Sequence, residues 1–360
     1  MREGDRMIDR RPAKRALGER LANGGTVVCA EGYLFELERR GYLQAGAYVP
    51  EVVLDHPEAV AQLHREFVRA GSDIVEAFTY YGHREKLRLI GKEEKLEALQ
   101  RNALALAKQA AADASGEPPL VAGNISNTTI YAPGDAAVAR EVRAMCDEQV
   151  AWAADAGVDL VIAETFSYHG EAMLALESIA RAGLPAVVTL AVHLEGLRDE
   201  VALAESMRRL EQAGASVVGM NCARGPATML PLLQDIRAAV SCPVAALPVP
   251  YRTTAEYPTF QSLRDPAGPG LPDGRPFPIA LDPFTCSRFE MAAFARQAHD
   301  LGVRYLGVCC GGAPHHVRAM AEALGRRPEA SRYSPDMSKH YAFGTDPRLR
   351  QHNRAYTSKL

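Results

Sequence analysis

The sequence predicts an α/β chain closed into a (β/α)8 TIM barrel, and three observations carry that reading. A joint recurs in which a helical pattern ends on a small residue and Gly and then runs into a β-rich segment, as in Ala70-Gly71-Ser72-Asp73-Ile74, Ala156-Gly157-Val158-Asp159-Leu160, Ala182-Gly183-Leu184-Pro185-Ala186, Ala213-Gly214-Ala215-Ser216-Val217 and Leu301-Gly302-Val303-Arg304-Tyr305. Glycine just past a helical pattern is the usual left-handed cap, and a strand after each cap implies parallel strands alternating with helices. Eight short Val/Ile/Leu-rich runs and eight helical stretches alternate within 360 residues, which suits a barrel better than an open doubly wound sheet. No Gly-x-Gly-x-x-Gly follows the first strand to favour that alternative.

In order, the strands fall at 26–30, 73–78, 120–124, 159–164, 186–191, 216–221, 243–247 and 304–308. The helices fall near 57–70, 93–114, 135–156, 170–182, 200–213, 227–240, 287–301 and 314–325. Residues 248–286 hold nine prolines and read as a long irregular excursion after the seventh strand, on the face where barrel loops cover substrates. The barrel unit spans 1–329. Residues 330–360 form a polar, basic arm whose Tyr333, Tyr341 and Phe343 suggest packing at a subunit interface, hence a homo-oligomer, a dimer or tetramer.

The composition, 47% hydrophobic and 24% charged with a net charge of −3, gives no electrostatic reason to expect nucleic acid or a membrane as partner. No apolar run reaches the roughly 20 residues of a membrane span, and the charged start Met1-Arg2-Glu3-Gly4-Asp5-Arg6 precedes no signal-like apolar core, so a cytoplasmic location is expected. Seven cysteines, an odd number in a large chain, favour metal or catalytic use over a disulfide framework.

Catalytic groups of a barrel sit where strands end. Cys309 and Cys310 close the eighth strand in Gly307-Val308-Cys309-Cys310-Gly311-Gly312, and Cys222 closes the sixth in Gly219-Met220-Asn221-Cys222. Three thiolates at one rim, with a fourth position left open, form a catalytic zinc pattern; two buried structural cysteines are the plainer alternative for the Cys-Cys pair. Cys286, in the long loop, is the one competing ligand, because Cys29 lies inside the first strand, Cys146 is mid-helix and Cys242 precedes the seventh strand.

These paired motifs resemble those of the homocysteine S-methyltransferase family, with its betaine–homocysteine branch nearest. The resemblance extends through Arg40-Gly41-Tyr42, Pro57-Glu58-Ala59-Val60, Leu63-His64-Arg65-Glu66-Phe67 and Phe78-Thr79-Tyr80-Tyr81, covers about residues 20–325, and includes Met337-Ser338-Lys339 in the arm. It implies a (β/α)8 fold, Zn2+ held by Cys222, Cys309 and Cys310, and homocysteine and an onium methyl donor as substrates. It also implies Glu164 as the carboxylate that holds the homocysteine amino group; a salt-bridged rim carboxylate is the structural alternative. Tyr48 and Tyr81 match donor-cage positions, and Tyr33 falls in the first βα loop as a third wall.

The sequence departs from the family pattern at three places. Ala30-Glu31-Gly32 stands where the betaine branch has Asp-Gly-Gly, so either Glu31 replaces the Asp as a catalytic carboxylate, with Gly32 beside it, or the register shifts and Ala30 takes its place. Thr165 replaces a Tyr next to Glu164, as in members that use other donors, and Tyr48 replaces a Trp. Glycine betaine is the expected donor; dimethylsulfoniopropionate or S-methylmethionine, and a non-catalytic zinc-bearing barrel, are the alternatives. A Schiff-base lyase or aldolase is disfavoured, since no predicted strand ends in Lys.

Overall fold

A computed structural model describes residues 14–194, 196–357 and 359. The charged start Met1–Arg6, read above for the absence of a signal segment, lies outside the described residues. Eight parallel strands close in sequence order: β1 Val27–Ala30, β2 Ile74–Glu76, β3 Leu120–Ser126, β4 Leu160–Phe166, β5 Ala186–Leu190, β6 Val217–Asn221, β7 Val244–Leu247 and β8 Tyr305–Val308. The seam is formed by β1 and β8, with Val27 opposite Tyr305 and Ala30 opposite Val308. Every residue of every strand is buried, since the barrel core covers one face and the helices the other.

The main helices span Pro57–Ala70, Leu96–Ala112, Ala136–Ala156, His169–Arg181, Leu203–Gln212, Pro226–Ala239, Arg288–Asp300 and Pro314–Ala323. The repeated joint behaves as expected: Gly71, Gly157, Gly183, Gly214 and Gly302 all take positive φ, between 69° and 109°. Two acidic residues at strand starts tie neighbours together, Asp73 accepting from Val28 N at 2.7 Å and Asp159 from Val121 N at 2.7 Å. No described helix is long and apolar enough to cross a membrane.

Three differences from the sequence reading bear on function. First, β2 stops at Glu76 rather than 78, because the chain turns tightly through Thr79 N to Ala77 O and Gly82 N to Thr79 O. Second, β3 and β4 each run two residues further, so Glu164 lies within β4, next to a register shift between Ala163 and Phe166. Third, the first βα loop, in which Tyr33 was expected, contains a helix, Tyr33–Arg39, that buries Tyr33, Leu34, Phe35 and Leu37.

The proline-rich excursion packs onto the barrel mouth. Phe260 N donates to Ala223 O at 2.8 Å, and the Phe260 ring lies 5.9 Å from Phe35 and 4.9 Å from Phe277. The arm adds turns at Glu329–Tyr333 and Met337–Lys339 and a short helix at Gln351–Thr357; its Tyr333, Tyr341 and Phe343 are exposed.

Candidate active site

The three thiols predicted from strand ends meet. Cys222 Sγ lies 3.9 Å from Cys310 Sγ, Cys309 Sγ lies 4.0 Å from Cys310 Sγ, and all three sulfurs fall within 4.8 Å of one another. Tetrahedral coordination with metal–sulfur bonds of about 2.3 Å sets sulfurs about 3.8 Å apart, whereas a disulfide needs about 2.05 Å. The spacing and the all-sulfur donor set therefore fit a soft divalent cation. Cys222 is drawn well below the ordinary thiol range by the S–H groups of Cys309 and Cys310, while those two are pushed well above it, because each is kept protonated as a hydrogen-bonding partner of Cys222 and a further thiolate would face the first. A cation among them relieves that repulsion. Cys286, the competing ligand, is not in this cluster; burial pushes its thiol, like that of Cys146, up to about 12.

Backbone geometry aims these groups. Cys222 and Ala223 leave β6 with φ of 56° and 51°, and Tyr48, Tyr81 and Thr165 take 56°, 59° and 63°. Such conformations cost about 1–3 kcal/mol each in non-glycine residues and persist only where packing imposes them. Four of the residues singled out from the sequence are thus held in the left-handed region. On the other side of the cluster, Gly311 turns at φ 87°, and a Cβ there would lie 2.3 Å from the Tyr251 hydroxyl. Gly32 is needed for a different contact, since its Cβ would lie 2.2 Å from Gly312 O. The cysteine turn thereby packs directly on the first βα turn.

Behind the thiols is a small cavity lined by Glu31, Glu76, Asn124, Glu164, Tyr33, Tyr80, Cys309 and Cys310, among others. Glu31, Glu76 and Glu164 are all buried. Asn124 Nδ2 donates to Glu76 Oε1 at 2.5 Å and to Glu164 Oε1 at 2.7 Å. Asn221 takes a fixed orientation: Oδ1 accepts from Thr165 N at 3.0 Å, so Nδ2 faces Glu164 Oε2 at 2.6 Å, Thr165 Oγ1 at 2.8 Å and Glu31 Oε2 at 3.4 Å. Burial pushes the Glu164 carboxyl up to about 7 against its hydrogen bonds from Asn124 and Thr165, and burial plus the neighbouring carboxylates raise Glu31 and Glu76 well above the usual range. Among the described residues, Glu31 Oε1 has no hydrogen-bond partner. Three buried carboxyls, one oxygen unsatisfied, offer acceptors that a cationic group such as an ammonium can use.

In front of the thiols opens a cleft of about 320 Å³, walled by Tyr48, Tyr80, Tyr81, Tyr131, Tyr168, Phe35, Phe260 and Phe277, with Cys222 and Cys310 also in its lining. Tyr80 and Tyr81 pack with centroids 4.3 Å apart, and the Lys86 ammonium lies 4.1 Å from the Tyr81 centroid, so this ring already interacts with a cation.

The fold brings together Cys222, Cys309, Cys310, Glu31, Glu164, Thr165, Tyr48 and Tyr81. Tyr33 lies elsewhere than the donor wall expected of it. It starts a helix, its ring packs on Phe67 and Phe78, and its hydroxyl meets His64 Nδ1 at 3.0 Å, which leaves it bordering the inner cavity only. The structure places Ala30 in β1 opposite Val308, and Glu31 in the lining of the inner cavity. Sequence reasoning missed Glu76, Asn124, Asn221 and Tyr80. Glu76 carried the same signal as Glu164, a carboxylate directly after the apolar run Ile74-Val75.

Residues 28–324 match the homocysteine S-methyltransferase family. The betaine–homocysteine S-methyltransferase 1 of Mus musculus is 36% identical over 342 residues, covering 92% of this chain and 80% of that protein. The S-methylmethionine–homocysteine S-methyltransferase BHMT2 of Pongo abelii is 35% identical over 339 residues, covering 92% of this chain and 87% of that one. Among solved structures, the metallated form of the homocysteine methyltransferase MmuM from Escherichia coli superposes with a TM-score of 0.64 at 19% identity, over 82% of this chain and 96% of that chain, a likeness of fold.

Proposed function

Because the chain belongs to the homocysteine S-methyltransferase family, we propose that it transfers a methyl group from a small onium donor, glycine betaine foremost, to the thiol of homocysteine, giving methionine. The observation that carries this reading is the position of the three sulfurs, between an acidic inner cavity and an aromatic outer cleft. Cys222, Cys309 and Cys310 are the residues that would hold Zn2+. A zinc ion held there would supply positive charge that lowers the pKa of a bound thiol toward neutral pH.

The chain's own groups do the rest. Glu164, held by Asn124, Asn221 and Thr165, receives the α-ammonium of homocysteine, with Glu31 and Glu76 alongside. That contact fixes which way the substrate sulfur faces. Tyr48, Tyr80 and Tyr81 offer ring faces to a cation that has no N–H to donate. Aromatic faces suit a charge that is lost during transfer, because they attract the ground-state cation only modestly. Phe35, Phe260 and Phe277 help keep water from the sulfur. The donor leaves neutral, so no acid is needed to protonate it.

A donor panel with homocysteine, scored by methionine formed, tests the reading. Glycine betaine giving the highest rate supports it; a neutral or anionic methyl donor giving the highest rate refutes it. Thr165 beside Glu164 favours a second reading with a sulfonium donor, dimethylsulfoniopropionate or S-methylmethionine, which the same panel separates. We further propose that the arm beyond residue 329, with exposed Tyr333, Tyr341 and Phe343, lies between copies of the chain; a monomer in light scattering would refute this.

A further inference from the structure

Among the described residues lining the outer cleft, Arg198 carries the one permanent positive charge. It makes no ion pair among them, and its guanidinium carbon lies 6.0 Å from the Tyr168 ring centroid. The acidic side chain in the same lining, Glu171, is already engaged: its Oε1 accepts from Thr128 N at 2.7 Å and Thr128 Oγ1 at 2.6 Å. The described backbone on both sides of Arg198's turn is anchored. Arg198 N donates to Ser167 O at 2.8 Å, the neighbouring Leu197 is buried, and Arg224 donates to Val192 O at 3.0 Å and His193 O at 2.8 Å. An exposed guanidinium is ordinarily a solvated surface charge. This one borders an aromatic cleft whose lining also contains Cys222 and Cys310.

We infer that Arg198 is a donor-specificity residue: it anchors a carboxylate at the far end of the onium molecule, so the cleft takes zwitterionic donors in preference to simple cations. The inference deepens the methyl-transfer reading and rests on it. A zwitterion laid with its cation toward the thiols and its carboxylate toward Arg198 has both charges matched. The reverse orientation sets carboxylate against thiolate and cation against guanidinium, and presents no methyl group to the sulfur. Arg198 therefore orients the donor as well as retaining it. Arginine suits the task because its planar fork meets a carboxylate through two parallel hydrogen bonds.

Two donor pairs that differ in a carboxylate test this: glycine betaine against tetramethylammonium, and dimethylsulfoniopropionate against trimethylsulfonium. Wild type, Arg198→Leu and Arg198→Lys are compared by kcat and KM for each donor at saturating homocysteine. In Arg198→Leu the preference for the carboxylate-bearing member of each pair should fall roughly 10- to 30-fold, through KM rather than kcat. Arg198→Lys should recover part of it, since the charge remains without the fork. An unchanged preference in Arg198→Leu overturns the inference and identifies a solvated surface charge. Calorimetric titration of the homocysteine-saturated protein with glycine betaine and tetramethylammonium reads the same preference without turnover. Arg198-dependent binding with no methionine formed would defeat the methyl-transfer reading and leave the anchor standing. Methionine formed with the preference intact in Arg198→Leu would do the reverse. Absence of both binding and turnover overturns both.

Discussion

Replacing Glu164 by Gln keeps the shape of the side chain and removes its charge and one acceptor. In the native protein both carboxylate oxygens are used, Oε1 by Asn124 Nδ2 at 2.7 Å and Oε2 by Asn221 Nδ2 at 2.6 Å. Glutamine brings one oxygen and an NH2 group, so one of these donors must face another donor. Asn221 cannot turn over without losing the Thr165 N bond to its Oδ1, so Asn124, whose Oδ1 has no partner among the described residues, is the one to rearrange. On the proposed role of Glu164, homocysteine loses a charge-assisted hydrogen bond to its ammonium, about 1.5–3 kcal/mol, or roughly a 10- to 150-fold weaker Kd. Glu31 and Glu76 remain in the cavity and place the expected effect near the lower end of that range. Calorimetry with homocysteine, together with metal analysis of the same samples, checks this. The expected result is weakened binding with the metal retained. Full affinity in Glu164→Gln would make the residue a structural carboxylate and refute the assignment of the inner cavity to the amino group.

Three further outcomes follow from other parts of the structure. Tyr81→Ala should raise the donor KM roughly 3- to 30-fold, the worth of one cation–ring contact, while Tyr81→Phe costs much less; equal effects would assign the work to the hydroxyl. Gly311→Ala should lower both thermal stability and metal content, because its Cβ would meet the Tyr251 hydroxyl in a left-handed turn next to Cys310; normal metal content would show that the turn is not what aims that thiol. Burial lowers His64 to about 3 in the folded protein, against about 6.5 for an unperturbed histidine. Below pH 6.5 the unfolded chain takes up a proton that the folded one refuses, so stability falls as the pH drops from 6.5 toward 3, by at most about 1.4 kcal/mol per unit. Denaturant titrations of His64→Gln should show a shallower loss over that window; an unchanged slope would contradict the buried neutral assignment.

The barrel was legible because its punctuation is local. A left-handed glycine after a helix is a property of a few consecutive residues, and five such joints set the spacing of much of the chain. The three thiols were legible for a related reason: the rim of a barrel is where strands end, so Cys222, Cys309 and Cys310 needed only strand boundaries correct to a residue or so. What escaped depends on register between distant strands. Asn124 reaches both Glu76 and Glu164 because β3 pairs with β2 and β4 in one particular alignment, with Glu76 opposite Ala122 and Ser126 opposite Glu164. Tyr33 was misplaced because one residue decides its surroundings. The helix begins immediately after Gly32, and its first residue turns toward His64 and Phe67 rather than outward. The left-handed backbone at Tyr48, Tyr81, Thr165 and Cys222 leaves no mark in a sequence, since none of these is a residue type that favours it. Arg198 was invisible for the opposite reason: in sequence it is one of many charged residues in a polar loop, and only the fold sets it over a cleft.

The proposed arrangement of sulfurs around one metal can be measured directly. X-ray absorption at the zinc edge of the purified protein should show sulfur neighbours at about 2.3 Å, three before homocysteine is added and four afterwards. The same spectra for Cys222→Ala, Cys309→Ala and Cys310→Ala should be absent or greatly weakened, because each variant loses the metal. A zinc ion surrounded only by nitrogen and oxygen, or one retained at full occupancy in all three variants, would contradict the placement of the reaction at these thiols.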